Sequence, residues 1–104
     1  MIAYTGYTDT GFTTPRKNLP FILENFSIVN KNGGHVDVNV YKIINYNSLY
    51  SLIPYNTRIA VGASYENTRQ ICVLATEQIS LSTTGPVDYD FNFKNMTFDG
   101  NSTH

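Results

Sequence analysis

The sequence predicts an all-β chain: one antiparallel β-sandwich, jelly-roll or immunoglobulin-like, of about seven to eight strands with an extended N-terminal arm. Three observations predict it. Aromatic residues make up 13% of the 104 residues and are all Tyr or Phe, which together with Val, Ile and Thr favour strands over helices. Residues 35–43, HVDVNVYKI, alternate apolar and polar side chains with period two, the pattern of a half-buried strand. Turn residues recur roughly every 8–12 positions and no segment sustains a helical period, which argues against a βαβ arrangement.

Length sets the frame for the elements. A chain of 104 residues is one domain and buries roughly 65% of its unfolded surface, enough to fold without metals or disulfides. Residues 1–18 read as an arm outside that domain. YTGYTDTGFTTP repeats an aromatic–threonine unit, sustains no period and ends at Pro15, with Arg16 and Lys17 as a small basic step. Such a stretch is either a loose terminus or an arm that docks on a neighbouring subunit. Its aromatic content favours the arm, because disordered tails are poor in aromatics. Tyr4, Tyr7, Phe12, Arg16 and Lys17 are the partner-binding candidates there.

The sandwich is expected over residues 19–94. FILENFSIVN (21–30) is strand-like, with Phe26 and Ile28 on one face. Lys31-Asn32-Gly33-Gly34 suits a type I′ hairpin turn into the strand at 35–43. Residues 45–48 form a loop and 49–53 a short apolar piece, and 54–57 (PYNT) make another turn. Strands follow at 58–63 and 70–75, separated by polar 64–68, then at 79–82 and 87–94, the last entered through Thr83-Thr84-Gly85-Pro86. Residues 95–104 are a polar tail. The expected core is Phe26, Ile28, Val36, Val38, Val40, Ile59, Val61, Ile71, Val73, Ile79, Leu81, Val87, Tyr89, Phe91 and Phe93.

Composition excludes several function classes. Charged residues are 14% with a net charge of −1, so no polycationic surface for nucleic acid is expected. Basic residues and an apolar run of signal-peptide type are absent from MIAYTGYTDT, and no apolar run is long enough to span a bilayer. The expectation is a chain made in a cytoplasm, without membrane contact. Three Asn-x-Ser/Thr sequons, at Asn25, Asn95 and Asn101, carry no meaning without a secretory signal. Cys72 is the single cysteine, so neither an intramolecular disulfide nor a thiolate zinc cluster can form. In ICVL it is expected to be a small buried thiol.

Asp88 and Asp90 are the one pair that suggests chemistry. Two residues apart on a strand, they point to one face with Cα atoms roughly 6.8 Å apart, near the spacing of an inverting glycosidase pair or a calcium bracket. Against that, an acid–base pair needs one carboxyl in a dry pocket, and these two alternate with Val87, Tyr89, Phe91 and Phe93. They read as solvated acids on the outer face. His35 reads as a turn-edge residue and His104 as part of the tail, so no metal site follows from them. No catalytic residue, metal ligand or cofactor is expected, and the chain reads as a non-enzyme. Tyr46, Tyr50, Tyr55 and Tyr65 fall in or beside loops and are candidate contacts, either interface anchors or sugar-stacking rings.

FSIVNKNGGHVDVNVYKI, IPYNTRIAV and VLATEQISLSTTGPVDYDFNF together resemble the small β-sandwich virion proteins of tailed bacteriophages. The resemblance covers roughly residues 20–94 and rests on Asn30, Gly33–Gly34, residues 53–57, Glu77 to Ile79, and Val87 and Asp88. It implies a structural component of the capsid surface, neck or tail that assembles with copies of itself and with other virion proteins. Localisation in a virion, after synthesis in a bacterial cytoplasm, follows from the same resemblance. The alternative is a carbohydrate-binding β-sandwich module that adheres to a host glycan.

Overall fold

A computed structural model of the chain describes residues 2–45 and 48–96. These form ten strands and no helix: β1 (Ile2–Thr8), β2 (Gly11–Thr13), β3 (Phe21–Asn30), β4 (Val36–Ile44), β5 (Ser48–Ser51), β6 (Thr57–Ile59), β7 (Ser64–Asn67), β8 (Ile71–Val73), β9 (Gln78–Thr83) and β10 (Val87–Asn95). Two antiparallel five-stranded sheets pack together. Sheet A runs β1-β10-β3, and β7 and β8 share the far edge of β3; sheet B runs β2-β9-β4, and β5 and β6 share the far edge of β4.

The core lies where the inward faces meet. Val36, Val38 and Val40 of β4 and Ile79 and Leu81 of β9 face Phe26 and Ile28 of β3 and Val87, Phe91 and Phe93 of β10. A β-bulge in β3 extends this core. Asn92 pairs with Asn25 but Phe93 with Leu23, so Glu24 is an extra residue. Strict alternation back from Phe26 would turn Glu24 inward. The bulge resets the phase, and Leu23 and Phe21 are buried instead.

Residues 1–18 are not an arm outside the sandwich. β1 pairs along its whole length with β10, and β2 pairs with β9, so residues 2–13 supply an edge strand to each sheet. Past β2, Thr14 continues the pairing: its N–H donates to Ile79 O at 2.9 Å and its buried Oγ1 accepts from Ile79 N at 3.0 Å. The strand count therefore exceeds the expected seven to eight, because β1, β2 and β7 are strands that period analysis misses.

The expected type I′ hairpin at 31–34 is also replaced. β3 and β4 lie in different sheets and do not pair. The connection is shaped by Asn30, a buried side chain at the end of β3. Its Oδ1 accepts from Asn32 N at 2.6 Å, and its Nδ2 donates to Gly34 O and Ile59 O at 2.9 Å and to Ala60 O at 3.1 Å. One amide thus closes the crossing loop and ties sheet A to the end of β6 in sheet B. The predicted strand at 58–63 stops at Ile59. Residues 60–63 turn, with Ala63 N donating to Ala60 O at 3.0 Å and Gly62 at φ 75°, a conformation that side chains resist. Val61, expected in the core, is on the outside of that turn and 59% exposed. Cys72, expected to be buried, is exposed because the inward residues of the short β8 are Ile71 and Val73.

Replacing Asn30 with Ala removes all four of these bonds, three of them from its Nδ2 to the carbonyls of Gly34, Ile59 and Ala60, at a buried position. Chemical denaturation should show a loss of about 2–4 kcal/mol, larger than an exposed Asn→Ala change produces. A loss under about 0.5 kcal/mol would show that the crossing loop closes without the amide.

Candidate functional site

The outer face of sheet A carries the two aspartates. Asp88 lies between Tyr7 and Val29, and Asp90 between Thr5 and Ser27, in the pairing of β1, β10 and β3. Their partners differ. Asp88 forms an ion pair with Lys31 at 3.6 Å, both half-exposed, which is worth little in water. Asp90 accepts from Asn92 Nδ2 at 3.2 Å, and the same amide donates to Asn25 Oδ1 at 2.9 Å. The acids therefore anchor separate polar contacts on one sheet face. Among the described residues, no three His, Cys, Asp or Glu side chains come together in a way that holds a metal ion. His35 is exposed.

Beside this face, a shallow notch opens where β7 ends before β8 begins and β3 bulges. Asn25, Phe26, Ser27, Glu66, Asn67 and Thr68 line about 220 Å³ of open space. Ligand sites for small molecules enclose roughly 300–1,000 Å³ and are mostly apolar, so this notch is smaller and wetter than such a site. Sequence reasoning missed it because neither the bulge nor the gap between β7 and β8 leaves a periodic trace.

The arm candidates divide into inward and outward residues. Phe12 stacks on Tyr89 with ring centroids 4.5 Å apart and also contacts Phe91 and Tyr4. Tyr4 meets Phe93 edge-on at 5.8 Å. Both are part of this chain's own core wall. Tyr7 points outward from β1 and is 61% exposed. Arg16 is exposed and engaged within the chain.

Lys17 is enclosed. Its Nζ lies 4.3 Å from the centroid of Phe93, 5.4 Å from Tyr4 and 5.5 Å from Phe21, is shut off from solvent and has no hydrogen-bond partner. Aromatic faces attract the ammonium, by about 0.5–2 kcal/mol for such contacts, while loss of water opposes its charge. Burial pushes its pKa below the ordinary 10.5. Lys17 thus closes the open end of the aromatic wall and cannot serve as an exposed basic contact.

The loop tyrosines are not gathered at one place. Tyr50 sits on β5 and Tyr55 in the turn after it, both at the β5/β6 edge of sheet B, and are 57% and 73% exposed. Tyr65 sits on β7 in sheet A and stacks on Phe26 at 6.2 Å, half-buried. Tyr46 lies outside the described residues. Turn 54–57 is held against sheet B by a reciprocal amide pair: Asn39 Nδ2 donates to Asn56 Oδ1 at 2.9 Å, and Asn56 N donates to Asn39 Oδ1 at 2.8 Å. Below it, β5 is exposed along its length, Leu49 included, whereas Leu52 and Ile53 immediately after it are buried. At the same end, Lys42 Nζ reaches buried Glu77 Oε1 at 3.5 Å, and that oxygen accepts from Leu74 N at 2.9 Å to close the turn into β9. The described residues contain no helix long and apolar enough to cross a membrane.

The Lys17 environment has a testable sign. Below its folded-state pKa the lysine is charged in both states and the full cost of burial is present. As pH rises through that pKa toward 10.5, the folded form sheds the proton first and the cost fades, so stability increases. Urea unfolding of wild type and Lys17→Met across the alkaline range should show wild type gaining stability relative to the variant as pH rises. A wild type that gains no stability relative to the variant as pH rises, or loses some, would contradict the enclosed ammonium.

The chain matches no protein-family model, no curated protein and no solved structure.

Proposed function

We propose that the chain is a non-enzymatic structural component of a tailed bacteriophage virion, at the capsid surface, neck or tail, where it assembles with copies of itself and with other virion proteins. The observation that carries this reading is the exposed hairpin strand β5. Leu49 is 61% exposed beside Tyr50, although the chain buries Leu52 and Ile53 immediately after β5. Tyr55, Val61 and Leu74 are further large apolar side chains left in solvent. Tyrosines and aliphatic residues displayed on rigid elements suit protein contact, where aromatic anchors are enriched. The turn and packing signatures at residues 20–94 that resemble phage virion sandwiches support the same reading. So does the chain path, in which β1 to β4 and again β8 to β10 alternate between the two sheets, and which we read as jelly-roll-like rather than immunoglobulin-like. Synthesis in the bacterial host and residence in the particle belong to this proposal.

A carbohydrate-binding module is the second reading, favoured only by exposed Tyr50 and Tyr55. With Tyr65 on the other sheet, a three-tyrosine platform is not assembled.

Leu49→Ser with Tyr50→Ser tests the proposal, because exposed changes of this kind alter folding stability by only about 0.5 kcal/mol. Mass spectrometry of particles purified from a lysate complemented with the variant should show it depleted relative to wild type, while its circular dichroism is unchanged. Incorporation at the wild-type level would count against β5 as the contact. Absence of the wild-type chain itself from the particles would overturn the virion reading, and glycan-array binding lost on Tyr55→Ala would favour the rival.

A further inference from the structure

We propose that β1 is a self-pairing edge: two copies of the chain join their A sheets by antiparallel β1–β1 hydrogen bonding about a two-fold axis through Thr5. The inference begins with the direction of the main-chain groups. Lys31 N donates to Pro86 O at 2.9 Å, and these residues continue the register that pairs Asn30 with Val87. In an antiparallel ladder, bonded pairs alternate with non-bonded ones. The pairs Asp88–Val29 and Asp90–Ser27 are therefore bonded toward β3, and Val87, Tyr89 and Phe91 turn their N–H and C=O groups toward β1. Their partners there are Thr8, Gly6 and Tyr4. Ala3, Thr5 and Tyr7 consequently direct their main-chain groups away from β10, to an edge where no strand of the described residues lies.

The other sheet edges are guarded and this one is not. The far edge of sheet A is split into two short strands, β7 carrying Glu66 and β8 spanning three residues. The far edge of sheet B is split by Pro54 and carries Arg58 on β6, and β2 is three residues long. Short strands, charges and breaks are the devices that blunt edge pairing. β1 has seven consecutive strand residues, IAYTGYT, with no charge and no proline.

Its sequence is also complementary to itself. With Thr5 on the axis, Ala3 faces Tyr7 of the second copy, Tyr4 faces Gly6 and Thr5 faces Thr5. Every off-axis pair in this core of the register sets a large side chain against a small one. Tyr7, standing out from the sheet, covers the methyl of the second copy's Ala3. Gly6 already yields its place to Tyr89, whose hydroxyl lies 2.7 Å from where a Cβ would be. Both members of each facing pair are odd or both even, so outward groups meet outward groups. The pairs Ala3–Tyr7, Thr5–Thr5 and Tyr7–Ala3 each exchange two bonds.

Charge and area define the partner. No charged side chain lies within β1, and the two copies' Asp9 residues fall at opposite ends of the paired strands, so a second copy meets no like charge. A single seven-residue strand pair buries less than the roughly 1,200 Å² of a stable specific interface, so the dimer is weak in free solution and is reinforced wherever copies are held side by side. The pairing does not depend on the virion reading.

Sedimentation and amide exchange of the full chain test it together. Between about 10 µM and 1 mM, wild type should shift from monomer toward dimer, and the amides of Ala3, Thr5 and Tyr7 should gain protection with concentration. Thr5→Pro removes an N–H that bonds nothing in its own chain, so it should melt within a few degrees of wild type. Losing both axial bonds should weaken dimerisation by at least about tenfold. Tyr7→Pro should act the same way and decides the matter if Thr5→Pro fails to fold. A wild-type chain that stays monomeric over this range overturns the pairing, as does a dimer that both proline variants leave intact. Either result leaves the particle-incorporation experiment free to stand or fall separately.

Discussion

The sandwich depends on the stacking of Phe12 against Tyr89 across the seam between its sheets. β1 belongs to sheet A and β2 to sheet B, so the short link between them must step from one layer to the other. The Thr8 hydroxyl shapes that step, donating to Gly11 O at 2.8 Å and accepting from Gly11 N at 2.9 Å. Phe12 then enters the gap between the layers beside Tyr4, Tyr89 and Phe91, and Lys17 closes the remaining opening with its stem and ammonium. Burying an aromatic or aliphatic side chain contributes about 1.5–3 kcal/mol, and a domain of this size is stable by only about 5–15 kcal/mol. Ile2, Tyr4 and Phe12 are partly buried, so each contributes a part of that amount to holding the two sheets in contact.

The opposite side of the sandwich is closed by polar latches instead. Asn30 joins the end of β3 to the end of β6, and the Asn39–Asn56 pair pins turn 54–57 to sheet B. Each engages both ends of a buried amide, which makes it a directional contact rather than a source of large net stability. This division has a functional consequence. The aromatic seam leaves β1 as a long uncharged edge on one side, and the latches hold Leu49, Tyr50 and Tyr55 outward on the other. The chain thus has an uncharged strand edge on one side and exposed Leu49, Tyr50 and Tyr55 on the other, the two surfaces to which the proposed self-pairing and particle contact are assigned.

Much of this was legible in the residues. β3 is bounded as FILENFSIVN suggests, because its ends are marked by Pro20 and the Asn-rich turn. β4 and β10 follow from clean alternation, and Asp88, Asp90 and Asn92 lie on the outer face as their spacing requires. The failures have physical causes. β1 half-buries Tyr4 and Gly6 while exposing Tyr7, so a large residue on the outer face and a glycine on the inner one erase the hydropathy alternation. β7, SYEN, is polar apart from Tyr65 and forms because the edge of β3 offers hydrogen bonds, a tertiary cause that propensity does not contain. The bulge at Glu24 shifts the phase of half a strand and is invisible to a period of two. Of the candidate contact residues, Tyr7, Tyr50 and Tyr55 are exposed, whereas Tyr4, Phe12 and Lys17 turn inward for the same reason they drew notice: aromatics and a lysine stem are what a core wall is made of.

Removal of residues 1–17 probes the seam most directly. Urea unfolding of the shortened chain, followed by near-ultraviolet circular dichroism, should show no cooperative transition or a midpoint far below that of the full chain, because Phe91, Phe93 and Tyr89 lose their cover. A shortened chain that unfolds cooperatively at the full-length midpoint would contradict the account and restore residues 1–17 to the status of a detachable arm.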